Sequence, residues 1–194
     1  MAAATPPGLL SLEAWAARDE DARGELVDGV LVEEEVPDFI HELVVAFLLR
    51  RLADWLEPRG GVVVGSGLKL AVSPHRGRLG DVAAYFAGRR PPARGLVRIP
   101  PDVLVEVVSP SPGDERRDRV QKPRDYAAFG VKYYWLVDPA LRSFEVWELD
   151  VTGRYAQALA AEGGRVEDVP GCEGLEIDLD ALWGRVEAEE QRAP

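Results

Sequence analysis

A chain of 194 residues, 46% hydrophobic and 29% charged, is long enough to bury one substantial core and short for two, so a single domain over residues 1–194 is expected. No apolar run approaches the roughly 18 residues of a membrane span, and Met-Ala-Ala-Ala-Thr-Pro-Pro lacks the basic start and apolar stretch of a secretory signal, which makes the cytoplasm the expected location. The net charge of −11 argues against phosphate binding by the molecule as a whole. Its distribution does not: residues 1–57 carry 4 basic and 13 acidic side chains, residues 58–144 carry 15 and 8, and residues 145–194 carry 4 and 13. Six arginines stand between Arg76 and Arg98 against one acid, Asp81, which suits either a solvated loop or a phosphate-facing surface.

Ser11 can cap a short helix at about residues 11–18, and Gly24 to Val32 reads as a hairpin turning at Asp28-Gly29. From Asp38, Ile40, Leu43, Val44, Phe47, Leu48, Leu52 and Trp55 recur at helical spacing until Pro58 and Gly60-Gly61. Val62 to Val64, Leu68 to Val72 and Leu79 to Phe86 read as strands. After an Arg/Pro-rich loop comes the continuous apolar run Val103 to Val108, broken at Ser109-Pro110-Ser111-Pro112, the pattern of a central strand covered on both faces. A polar segment from Asp114 predicts a helix stopped by Gly130. Strands follow at Lys132 to Val137, Ser143 to Leu149 and Gly153 to Leu159, then a short helix near Leu179 to Val186 and a frayed tail at about 187–194. Helices alternating with strands imply an α/β fold, a mixed sheet flanked by helices.

Within the Val103–Val108 run stands Glu106, an acid whose burial costs several kcal/mol unless it is paired or binds a cation. A metal or catalytic site and a structural ion pair with an arginine both meet that demand. Asp81, 25 residues earlier, heads an apolar stretch. Two carboxylates on neighbouring strands can share Mg²⁺, a hard ion usually held by one or two carboxylates with water and phosphate; Asp81 could equally pair with Arg78 or a loop arginine. Lys122, one of three lysines, falls at the helix beside the Glu106 strand, where it would be solvated or would position water against a phosphate. Glu25 flanks the Asp28-Gly29 turn, and Asp118 lies four residues before Lys122, a helix-stabilising spacing. His41, at the start of the long helix, reads as a capping or surface histidine or one facing the same cleft, His75 has no second histidine at metal-ligand spacing, and neither takes a catalytic assignment. Cys172, the single cysteine, sits in a Pro-Gly-Cys-Glu-Gly turn and cannot form an intrachain disulfide.

Taken in order, Gly24 to Gly29, Pro101 to Ser111, Asp118 to Lys122, Tyr126 to Val131 and Tyr134 to Pro139 resemble the Uma-type family of putative restriction endonucleases, within the PD-(D/E)XK nuclease superfamily. The resemblance runs from about Glu25 to Val146. It implies a restriction-endonuclease-like core and a Mg²⁺-dependent endonuclease, with Mn²⁺ as a substitute, hydrolysing phosphodiester bonds of DNA. Asp81 and Glu106 would hold the metal, Lys122 would orient water, and Glu25 would support the site. Three departures stand out. Val108 occupies the position two after Glu106 where the superfamily has lysine, Pro123 follows Lys122 directly, and Gly80 replaces the proline before the first acid. Val108 and Pro123 suggest an alternative, a catalytically inactive nucleic-acid- or protein-binding module on the same fold. Tyr133, Tyr134, Trp135, Phe144 and Trp147 read mainly as core, yet their bulk predicts a homodimer or larger assembly unless the long helix covers them within one subunit.

Overall fold

The computed structural model describes residues 9–18, 24–33, 36–109 and 117–192. Helix α1 (Leu12–Ala16) starts at Ser11, whose hydroxyl accepts from the Ala14 amide. Strands β1 (Glu25–Val27) and β2 (Val30–Val32) pair across Asp28 and Gly29, both at positive φ, as a two-residue hairpin turn requires. Helix α2 (Phe39–Leu56) is capped by the Asp38 carboxylate and gives way to a 3₁₀ turn at Glu57–Arg59 that ends at left-handed Gly60.

The expected strand from Leu79 to Phe86 is two strands. β5 (Arg76–Gly80) and β6 (Val82–Tyr85) belong to different sheets, and Asp81 is the residue between them. Likewise β3 (Val62–Val64) and β4 (Leu68–Ser73) part company at Gly65-Ser66-Gly67. One antiparallel sheet runs β2-β1-β5-β4. The other holds β7 (Val103–Val107), β8 (Tyr133–Asp138), β9 (Ser143–Leu149) and β10 (Tyr155–Ala161) in the order β10-β9-β8-β7-β6-β3. It is mixed because β7 and β8 are parallel, joined by a crossover that ends in helix α3 (Lys122–Phe129). The Pro110 to Pro112 break and the start of the polar segment at Asp114 lie outside the described residues. A π-helical turn at Arg117–Gln121 precedes α3, and Pro123 sits in the helix's first turn, where its missing N–H costs nothing. A short ribbon of β11 (Arg165–Val166) and β12 (Ile177–Asp178) leads into α4 (Leu179–Glu190), a turn longer than its apolar spacing predicts.

Alternation along β7 divides the core. Val103, Val105 and Val107 pack with α2 and α4 on one face, whereas Leu104 joins Tyr126, Tyr134 and Leu136 on the other. The strand aromatics that suggested an assembly are used here. Trp135 and Phe144 lie edge-to-face, 5.2 Å apart, beneath the helices, and Tyr134 stacks between Tyr126 and Tyr155. Of the five, Tyr134, Trp135 and Phe144 are covered within one chain, whereas Tyr133 and Trp147 stay half-buried. Among the described residues, no helix is long and apolar enough to cross a membrane.

Cys172 is fully buried in the helix-covered core, and burial, with added repulsion from Glu173 and Asp102, pushes its thiol up to about 12 from 9.0. A thiol reagent at pH 8 should therefore label it only after unfolding. Because the folded value is the higher one, the stability linked to this proton is complete below about pH 9 and is lost as pH rises towards 12. Labelling kinetics across a urea series check the first point, and urea midpoints between pH 8 and 11 check the second.

Candidate active site

Glu106 points into the α3 face of the sheet and is 2% exposed. Its charge is met from one helix: the Lys122 ammonium donates to Oε2 at 2.7 Å and the Tyr126 hydroxyl to Oε1 at 2.5 Å. Lys122 and Tyr126 are four residues apart, so α3 presents both on one side, and both are buried. Burial, reinforced by the Glu106 charge, pushes the Tyr126 hydroxyl well above its ordinary range and keeps it a proton donor. Gly80 makes room. A Cβ there would lie 2.6 Å from the Leu104 methyl Cδ1 and 3.6 Å from Glu106 Oε1.

Behind the ammonium stands Glu25, fully buried on β1, with Oε1 3.8 Å from Lys122 Nζ and accepting the Leu79 amide at 3.1 Å. Its other oxygen accepts from Arg78, a fully buried guanidinium that also donates twice to Asp125 Oδ2, at 2.9 and 2.6 Å. Two neighbouring acids raise the Arg78 value further, against the penalty of burial. Arg76 closes the chain at the rim, donating to Asp125 and, with a two-pronged contact, to Asp28. Among the named buried members, three carboxylates (Glu25, Glu106, Asp125) face two cations (Arg78, Lys122).

The arginine-rich segment divides between interior and surface. Arg78 meets no solvent. Arg76 is committed to Asp28 and Asp125, Arg89 to Asp102 and the Pro100 carbonyl, and Arg98 to Glu13. Of the six arginines only Arg78 is buried; Arg90, Arg94 and Arg98 are exposed.

Asp81 is not the partner of Arg78 either. The β6–β7 ladder ends with Val82 paired to Val105, and Asp81 lies just beyond it, its amide donating to the Val105 carbonyl at 3.2 Å. Its Oδ2 accepts the Val107 amide at 2.7 Å and lies 3.4 Å from His41 Nε2. His41 is on α2, so Asp81 and Glu106 take their partners from opposite faces of the sheet. Burial alone would lower the His41 value; the contact and charge of Asp81 outweigh it and hold the imidazole above its ordinary 6.5. A cavity of about 320 Å³ opens beside His41, lined also by Ile40, Val108, Asp138 and Leu141.

Lys122, Glu106 and Glu25 are thus drawn together, with the Asp81 carboxylate at the amide of the neighbouring Val107 and His41 behind it. His75 is exposed in the β4–β5 turn. Among the described residues no group of three or more His, Cys, Asp or Glu side chains could hold a metal ion. Two hard carboxylates, Asp81 and Glu106, nonetheless suit a cation that keeps most of its water. Tyr126, Arg78 and Asp125 went unassigned in the sequence. The four-residue spacing from Lys122 was the available signal for Tyr126; nothing local marks Arg78 as buried.

Replacing Arg78 by Met removes the buried cation shared by Glu25 and Asp125, leaving Glu25 the more distant Lys122 amine and Asp125 the rim contact to Arg76. The variant should lose about 3–5 kcal/mol of stability, read as a lowered urea midpoint. A change below about 1 kcal/mol, the worth of an exposed pair, would show the network to be solvated.

The family model Uma2, described as "Putative restriction endonuclease", matches residues 9–180. Among solved structures, the fold is similar to a crystal structure described as "a putative nuclease belonging to DUF820", from Anabaena variabilis ATCC 29413. The TM-score is 0.73 at 14% identity, over 91% of this chain and 99% of that one. At that identity the likeness establishes a shared fold, the mixed sheet flanked by helices. No curated protein matches the chain. With a family match extending over most of its length, the chain belongs to the Uma2 family of putative restriction endonucleases.

Proposed function

We propose that this protein is a Mg²⁺-dependent nuclease that hydrolyses phosphodiester bonds of DNA. The observation that carries the reading is the buried Lys122–Glu106 pair on the central strand of a Uma2-family chain, with the Asp81 carboxylate bound to the amide of Val107, the residue after Glu106. Asp81 and Glu106 would hold the ion, and Mn²⁺, another oxygen-seeking cation, would substitute. The bound ion supplies Lewis-acid stabilisation of the scissile phosphate and a more acidic water.

The chain's own groups divide the remaining work. Lys122 brings a positive charge to the phosphate and a donor to the attacking water. Glu25, 3.8 Å from the same amine, keeps that charge paired when Glu106 is engaged elsewhere. Tyr126 holds Oε1 and so orients the Glu106 carboxylate. Arg78 and Asp125 fasten β5 to α3 and with it the position of Lys122.

The test combines hydrolysis of a DNA duplex with titration calorimetry using Mn²⁺. Hydrolysis should proceed with Mg²⁺ or Mn²⁺ and stop with Ca²⁺ or a chelator. Asp81→Asn and Glu106→Gln should lose Mn²⁺ binding, and Glu106→Gln should also cost about 3 kcal/mol by stripping Lys122 of its nearest anion. Lys122→Met should lose about 10²–10³-fold in rate while binding Mn²⁺ at least as tightly, since the amine no longer competes for Oε2. Activity in chelator would sink the two-carboxylate mechanism. DNA binding without hydrolysis under every cation would establish the binding-module reading instead.

A further inference from the structure

The Asp81 carboxylate is held asymmetrically. Both of its described contacts fall on Oδ2, from the Val107 amide at 2.7 Å and from His41 Nε2 at 3.4 Å. Oδ1 accepts no hydrogen bond among the described residues, and the side chain keeps 17% exposure. We propose that His41 is a positioning residue for Asp81, fixing which carboxylate oxygen is left to meet a cation. The proposal rests on the reading of Asp81 as a cation ligand.

His41 is built to hold still. The Asp38 carboxylate that caps α2 accepts the His41 amide at 2.8 Å, which sets the residue in the helix's first turn. From there the ring is 5% exposed and its helix packs through Val44, Val45, Phe47 and Leu48 against the sheet. A histidine so buried is costly unless its nitrogens find partners. Nδ1 finds no hydrogen bond; its one close charge is Glu42, at 3.9 Å. The Asp81 contact is therefore the interaction that distinguishes this histidine from an apolar core residue. Through Val107 the same oxygen is tied to the strand that carries Glu106, one residue away. Without the imidazole the carboxylate keeps one tether and can turn about its last torsion. A partner that orients a ligating group in this way typically accounts for 10–100-fold in metal affinity.

The experiment compares the unaltered protein with His41→Phe, which fills the ring's space without a donor, and His41→Gln, which restores one. Thermal unfolding first verifies that each is folded; if His41→Phe is not, His41→Leu replaces it. Calorimetry with Mn²⁺ should show affinity reduced about 10–100-fold in the Phe variant and largely recovered in the Gln variant. In the absence of metal, the Val107 amide should exchange faster with solvent in the Phe variant, whereas Val105 in the same strand should not change. Equal Mn²⁺ affinity in the Phe variant and the unaltered protein would overturn the proposal and leave Asp81 a ligand. An unaltered protein that binds no Mn²⁺ would overturn both together.

Discussion

A carboxylate in the middle of a sheet covered on both faces has to be neutralised, and the rest of the site follows from how Glu106 is. Lys122 and Tyr126 satisfy its two oxygens from one side of α3, which places that helix's first turn against the end of β7. An ammonium buried in this way creates its own demand, met in part by Glu25. Glu25 in turn requires Arg78, and Arg78 requires Asp125, which returns to α3. The network closes on the helix where it began. Such ion pairs contribute little net stability compared with a well-packed apolar core, but breaking one member is expensive. The arrangement therefore serves geometry more than strength. It couples the four-stranded sheet, the central strand and α3 into one unit.

What could be read in the sequence divides along physical lines. Periodicity and punctuation marked the long helix, the Asp28-Gly29 hairpin and the buried Val103–Val107 strand, because each signal is local. The break at Asp81 was invisible for the converse reason. Leu79 to Phe86 is apolar enough for one strand, and only tertiary pairing sends Gly80 to one sheet and Val82 to another. The burial of Arg78 was hidden in the same way. Composition counts charges without recording which acids they meet, and Arg78 meets Glu25 from 53 residues away. His41 could be placed near the cleft but not matched to Asp81, because that partner is distant in sequence and no local spacing announces the contact. Glu106 could be singled out because the anomaly, an acid in an apolar run, is itself local.

Val108 then makes physical sense of the missing strand lysine. A residue two positions after Glu106 shares its face of the sheet, and here that position is 6% exposed and packed into the Tyr126 and Leu136 cluster. A lysine there would add a second ammonium to a pocket that already contains one. Supplying the amine from α3 instead reaches the Glu106 carboxylate from the covering layer, and the strand position becomes available for apolar packing. Pro123 supports this. Its ring is tolerated in the first turn of the helix, after a π-helical turn, so the backbone enters α3 at Lys122 itself. Val108 and Pro123 thus both accompany an amine delivered to Glu106 from α3, and Gly80, which leaves space beside Glu106 Oε1, belongs to the same packing.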